Sequence, residues 1–186
     1  MQETRLAKIY AKSLLDLSIE QNELEDVLKD MYLINKTTKD NRDLVLMLKS
    51  PLIKGDKKGQ ILKAIFNGKI SALTESFTNL LSVKGRANYL PEIVQAFIQL
   101  YKNHNNIKEI FITSAHPLTE ETINAIKSKV TSQLNGCTLE VVEQIDHSLI
   151  GGYVLEIEDK LFDGSVSTRL NNIKHQFTLN EYIAKI

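Results

Sequence analysis

Apolar residues recur at helical spacing through roughly the first hundred positions, and the spacing then changes. Residues 4–17 carry Leu6, Ile9, Tyr10, Leu14 and Leu17, with Ala7 and Ala11 keeping one side slim. That is the i, i+3, i+4, i+7 pattern of an amphipathic helix. Leu24, Val27, Leu28, Met31 and Ile34 repeat it in a second helix. Leu44, Val45, Met47 and Leu48 mark a short third helix, which Asp40 or Asn41 can cap. It must stop before Pro51, because the residue preceding a proline avoids helical geometry. Asp56 is placed to cap a fourth helix with Ile61, Leu62, Ile65 and Phe66, closed by Gly68. Ser71 is placed to cap a fifth with Leu73, Phe77, Leu80 and Leu81, ended by Gly85. A sixth starts near Asn88, tolerates Pro91 in its first turn and carries Ile93, Val94, Phe97, Ile98 and Tyr101. Short amphipathic helices with no strand signal between them predict a helical bundle.

The polar stretch Asn103-His104-Asn105-Asn106 interrupts the pattern and reads as a linker. Beyond it Glu109–Thr113 is strand-like, and Thr119 can cap a helix whose stripe is Ile123, Ile126, Val130 and Leu134, closed by Gly136. Leu139–Glu143 and Tyr153–Ile157 read as strands, with Glu158-Asp159-Lys160 turning the chain into Leu161-Phe162. Val166, Leu170, Ile173 and Phe177 mark a last helix, with Val166 and Leu170 expected to dock it on the sheet. The predicted fold is α+β overall: a six-helix bundle over residues 1–105, then a small β-α-β-β-β-α domain over 106–186. No internal repeat or low-complexity tract is present.

Composition adds little to this picture, but charge adds an asymmetry. The net charge is zero. Residues 1–105 hold 16 Lys and Arg against 12 Asp and Glu, and the remainder holds 7 against 11. Two unlike surfaces suggest two unlike partners. The basic excess is weak for nucleic acid, whose binders gather their cations on one face; here Lys8, Lys12, Lys36, Lys49, Lys63 and Lys84 are scattered among acids. Cys137, the single cysteine, has no internal disulfide partner, which fits a reducing compartment. The start Met1–Leu6 has no apolar signal core. The densest run of the first half, Leu44 to Leu48, is far short of the ~20 residues that span a bilayer. No membrane insertion is expected, and a place beside a membrane stays open.

Motifs for chemistry are missing. Neither glycine-rich phosphate cradle occurs, and Lys57-Lys58-Gly59 lacks the preceding strand, so it reads as helix surface. His104, His116, His147 and His175 are never spaced as paired ligands, and Cys137 has no companion. Asp163-Gly164-Ser165 is not a nucleophile elbow and reads as a turn and N-cap. No catalytic, cofactor-binding or metal-binding residue is assigned, and the chain is expected not to be an enzyme.

The most informative stretch runs Asp146-His147-Ser148-Leu149-Ile150-Gly151-Gly152-Tyr153-Val154-Leu155, then Phe162-Asp163-Gly164-Ser165-Val166-Ser167-Thr168-Arg169-Leu170. Read as architecture, the paired glycines allow a close backbone approach, Asp163-Gly164 turns and Ser165 caps. The arrangement also resembles the signature of the F-type ATP synthase delta subunit, the family of the mitochondrial oligomycin-sensitivity-conferring subunit. Upstream, Arg5 to Leu15 is similar to the family's first helix, and Ser50-Pro51 followed by Lys57-Lys58 to its third-to-fourth helix junction. Lys84-Gly85-Arg86 resembles its Asn-Gly-Arg stretch, with Lys84 in place of the usual Asn.

The resemblance covers essentially the whole chain. It implies a non-catalytic stator subunit, one copy per complex, joining the catalytic head to the peripheral stalk so that proton-driven rotation is coupled to ATP synthesis. The bundle would receive the N-terminal helix of an alpha subunit in a groove between the first and fifth helices, with Tyr10, Leu14, Phe77 and Leu81 as anchors and Ala7 and Ala11 admitting a close approach. The same residues could equally be internal core. The acidic domain would bind the peripheral-stalk b subunits, framed by Leu149–Val154 and Val166–Phe177. Gly151, Gly152, Asp163, Gly164, Ser165, Val166, Arg169 and Leu170 would chiefly maintain the fold. No cofactor and no nucleic acid is implied, and the expected place is the cytoplasmic face of a bacterial membrane, or the stromal face of a thylakoid. A helical scaffold of another assembly is the alternative reading.

Overall fold

The computed structural model describes residues 2–133, 137–157 and 160–179, and the chain divides into two compact units, Met1–His104 and Asn105–Ile186. The first is helical: α1 (Gln2–Glu20), α2 (Leu24–Asp40), α3 (Arg42–Lys49), α4 (Gly55–Phe66), α5 (Ala72–Val83) and α6 (Leu90–His104), with a 3-10 turn at Ala87–Tyr89. The second runs β1 (Ile107–Ser114), α7 (Glu120–Gln133), β2 (Thr138–Ile145), β3 (Tyr153–Ile157), β4 (Lys160–Asp163) and α8 (Val166–Leu179). The α+β order expected from periodicity is observed. Leu134, Gly136, Glu158 and Asp159, and the side chain of Phe177, lie outside the described residues.

Caps explain where the helices differ from expectation. α1 runs past Leu17 because Asn22, at φ 58°, supplies the left-handed residue that ends it. Asn22 and Glu23 donate their N–H groups to Ile19 and Ser18, at 3.1 and 3.0 Å, the paired bonds of a Schellman motif. Asn41 precedes α3, but its amide donates to the Thr37 carbonyl (3.0 Å) and closes α2 instead. α4 begins at Gly55, so Asp56 sits in its first turn and is not its cap. Ser71 caps α5 as expected, its hydroxyl accepting from the Thr74 N–H. The buried Asp30 carboxylate of α2 accepts from the Ser71 N–H at 2.8 Å, so a second side chain holds the same helix start.

The bundle core is built on α6, against which α1 and α2 pack; Val27, Met31, Ile34, Ile93, Val94 and Phe97 are fully buried. α4 lies against α5 through two glycines. A Cβ on Gly55 would stand 2.4 Å from the Ser82 carbonyl oxygen, and one on Gly59 would stand 3.1 Å from Ser82 Cβ. Lys58, expected on the helix surface, is buried: its ammonium donates to the Leu48 carbonyl at 2.6 Å and closes the C-terminal end of α3. Flexible lysine stems are often buried while the charge finds a partner, and a helix C-terminus offers unpaired carbonyls.

In the second unit the strands lie in the order β2-β1-β3-β4. β1 runs parallel to β2 through the α7 crossover and antiparallel to β3, which pairs antiparallel with β4. Alternation puts Ile110 and Ile112 on one face, the register sets Ile157 and Leu155 beside them, and Ile126 and Val130 of α7 close over the cluster. The expected docking of the last helix by Val166 and Leu170 is not what the fold does. Val166, Leu170 and Ile173 remain 37%, 53% and 49% exposed. The sheet's core is completed with α7, and the α8 stripe stays outside it.

Candidate functional site

α1 carries apolar side chains on two faces, and the bundle uses only one. Ala7, Ala11, Leu14, Leu15 and Ser18 are buried, a face of mostly small residues that permits close helix packing. The opposite choice was available, yet Ile9 and Leu17 are left 58% and 39% exposed. α5 makes a similar choice. It buries Thr74, Thr78, Leu81 and Ser82 and leaves Leu80 47% exposed. Hydroxyls can occupy this interior because each is hydrogen-bonded: Thr78 donates to the Glu75 carbonyl and Ser82 to the Thr78 carbonyl, both at 2.9 Å, and Thr74 accepts from the Ser71 hydroxyl at 3.0 Å.

The two uncovered apolar faces meet in a cleft of about 700 Å³. Leu6, Ile9 and Leu17 of α1 and Phe77 and Leu80 of α5 form its walls, and Leu14 lies at its base. Tyr10 stands at the centre, its ring edge-on to Phe77 at 6.5 Å and 63°. The Arg86 guanidinium lies over the Tyr10 ring, 5.4 Å from the centroid, and donates through Nη1 to the phenol oxygen. Lys84-Gly85-Arg86 puts it there. Gly85, at φ 67°, ends α5. The N–H groups of Gly85 and Arg86 then bond back to Ser82 and Leu81, at 3.0 and 2.7 Å, in a second Schellman motif.

Of the six expected groove residues, Tyr10, Leu14 and Phe77 line the cleft. Ala7, Ala11 and Leu81 are buried in the bundle, at most 2% exposed, and do not reach it. Ile9, Leu17, Leu80, Arg5 and Arg86 also belong to the lining, and none of them is among the expected groove residues. Ile9, Leu17 and Leu80 were in the apolar stripes, but a stripe does not say which side a neighbour covers.

The signature residues interlock. Gly152, at φ 81°, faces the Asp163-Gly164-Ser165 turn so closely that a Cβ on it would lie 2.5 Å from the Gly164 carbonyl oxygen. Gly164 donates to the Tyr153 carbonyl (3.0 Å) and Val166 to the Gly151 carbonyl (2.9 Å). Asp163 accepts the Ser165 N–H and the Thr168 hydroxyl, at 2.8 and 2.7 Å, while Ser165 accepts the Thr168 N–H at 3.2 Å. These donors, the Thr168 hydroxyl foremost, hold the Asp163 carboxyl below its ordinary range. Ser148 does the same for Asp146, which its N–H reaches at 2.8 Å. Arg169 is an exposed residue of the first turn of α8, its N–H bonded to the Ser165 carbonyl.

The cleft holds apolar walls, an aromatic centre and two cations, which suits it to grip a chain. Among the described residues no three His, Cys, Asp or Glu gather as a metal site, and no helix is long and apolar enough to cross a membrane.

Residues 6–177 match the ATP synthase delta (OSCP) subunit family. The ATP synthase subunit delta of Cytophaga hutchinsonii is 39% identical over 178 residues, covering 96% of this chain and 97% of that one. Its counterpart from Christiangramia forsetii is 36% identical over the full length of both, and that of Lactobacillus gasseri 32% identical over 94% of this chain and 96% of its own. A chain in the cryo-EM structure of the Toxoplasma gondii mitochondrial ATP synthase hexamer shares the fold, with a TM-score of 0.69 at 20% identity over 93% of this chain and 97% of that one. The chain belongs to the ATP synthase delta (OSCP) subunit family.

Proposed function

We propose that this chain joins the catalytic head of an F-type ATP synthase to its peripheral stalk, with its helical unit on the head and its sheet-bearing unit on the stalk. Family membership makes it a structural stator subunit and not a catalytic one. The observation that carries the finer reading is the α1/α5 cleft, where two helices leave apolar faces uncovered around Tyr10 and Phe77. An amphipathic helix binds such a groove through anchors at i, i+3, i+4 and i+7. In our reading the occupant is the N-terminal segment of an alpha subunit. The exposed apolar residues of the second unit, Leu161, Phe162, Val166, Leu170 and Ile173, support a second docking face, for the C-terminal ends of the b subunits. In our reading one copy per complex is held peripherally on the cytoplasmic face of the membrane.

A joint under torque must dissociate slowly against turnover, and a nanomolar contact corresponds to about 12 kcal/mol. Isothermal calorimetry of the full chain with a synthetic peptide of the cognate alpha-subunit N-terminus is the test. Saturable 1:1 binding is expected, and absence of heat at micromolar peptide would remove the head assignment.

A further inference from the structure

Resting on the reading that the α1/α5 cleft holds a helix, we infer that it selects its occupant by charge, with Arg86, assisted by Arg5, receiving carboxylates on one end of an acidic amphipathic helix.

The lining carries two cations, Arg5 and Arg86, and no acidic residue among the described ones. The cations are also placed unevenly. Arg86 lies on Tyr10 and Arg5 stands five positions before Tyr10 on α1, whereas Leu14 and Leu17 continue the lining in the other direction, where it holds no cation and the exposed acids Asp16 and Glu20 flank Leu17. At 1.5 Å rise per residue, Leu17 is about 10 Å along the axis from Tyr10. The cations of the lining therefore lie between the centre of the groove and one end, and the lining of the other end is apolar. An occupant with an apolar stripe and carboxylates clustered at one end matches both.

Arg86 is suited to this role by how it is held. Stacking on the Tyr10 ring and the bond to the phenol oxygen fix the guanidinium plane before any partner arrives. A guanidinium carries five N–H donors in a rigid fork, and the phenol takes one of them. A planar fork held in place can meet a carboxylate through two parallel bonds with little further ordering. Arg86 is also half-buried, so a pair formed there is screened less than one on open surface.

The test uses the full chain and two peptides: the cognate alpha-subunit N-terminal segment, and the same segment with its Asp and Glu replaced by Asn and Gln. Calorimetry is run at about 20 mM and about 300 mM NaCl, where the Debye length shrinks from above 20 Å to below 6 Å. The wild type should prefer the acidic peptide about ten-fold at low salt, a preference that narrows at high salt. Arg86→Gln should reduce the preference to about two-fold or less, and Arg86→Lys should keep part of it. The ratio of the two peptides' affinities on each variant, and not the affinity for either alone, separates charge recognition from a general loss of groove shape. Circular dichroism melts check that each variant is folded. If Arg86→Gln keeps the preference, or if the wild type binds both peptides equally with no salt dependence, the charge inference falls while the groove reading stands. A cognate segment lacking carboxylates also overturns it. Failure of both peptides to bind removes the groove reading, and this inference with it.

Discussion

Arg86 and Tyr10 stand 76 positions apart in sequence, yet the guanidinium lies over the aromatic ring and donates to its hydroxyl. This pair ties the turn after α5 to the middle of α1, and both residues line the apolar cleft between α1 and α5. The pairing rests on Gly85, whose left-handed backbone aims Arg86 back across the helix end.

Tyr10→Ala removes the ring that Phe77 and Arg86 both contact. An aromatic pair adds about 0.5–1.5 kcal/mol beyond area burial, and a partly exposed cation–π contact about 0.5–1 kcal/mol. The bundle should lose about 1–2 kcal/mol by urea denaturation, and peptide affinity should fall by at least ten-fold, because the groove centre is emptied. Retention of wild-type affinity would put Tyr10 outside the contact.

Gly55→Ala reverses the usual sign of a helical glycine substitution. Alanine in an exposed helix gains roughly 0.5–1 kcal/mol over glycine. Here the added Cβ meets a backbone oxygen at 2.4 Å, which no rotamer can relieve, so α4 and α5 must separate. A net loss of about 2–3 kcal/mol is expected from chemical denaturation, in the range of overpacked cores. Gly59→Ala, facing a side-chain Cβ at 3.1 Å, should cost less. Equal melting of Gly55→Ala and wild type would show that the helices do not approach this closely.

Lys58→Met keeps the aliphatic stem but deletes the ammonium that donates to Leu48. The unpaired carbonyl at the end of α3 should cost about 1–3 kcal/mol. Lys57→Met, on the exposed side of α4, should stay within about 0.5 kcal/mol and serves as the control. Thermal melts of the two variants compare them directly; indistinguishable curves would contradict a capping role.

Asp163 gives the C-terminal unit an acid-sensitive helix start. Its folded pKa lies below the unfolded one, so its contribution is fully present above the unfolded value of about 3.9 and is lost as pH falls through the folded value. The stability difference between wild type and Asp163→Asn should be constant from pH 7 to about 5 and should shrink below about pH 4. Amide exchange at Ser165 and Thr168 reports it locally. A difference that persists unchanged to about pH 3 would mean the carboxylate charge is immaterial.

Several features were legible in the residues because they are local. Helical spacing, the Ser71 cap, Gly85 as a helix stop and the β-α-β-β-β-α order all depend on neighbours within a turn or a strand. The Asp163-Gly164-Ser165 turn was readable for the same reason. The expected linker Asn103–Asn106 is shorter than its polar run suggests, because α6 continues through His104 and only Asn105 and Asn106 connect it to β1. Other features required contacts far apart in the chain. Lys57 and Lys58 look alike in sequence, but the end of α3 decides that only Lys58 is buried. Val166 and Leu170 look like docking residues, but α7 completes the sheet's core and leaves them open.

The candidate groove marks the division most clearly. Local spacing alone makes α1 and α5 amphipathic, and the residues of the family are legible along the chain. Spacing could not determine which face each helix would turn inward, because both carry apolar side chains beside a face of small residues. Only tertiary packing decided that. Close helix approach favours Ala7, Ala11, Ser18, Thr78 and Ser82 inside, since small side chains bring backbones together and helix carbonyls satisfy the hydroxyls. The larger residues Ile9, Tyr10, Leu17, Phe77 and Leu80 are then left facing one another across an open cleft.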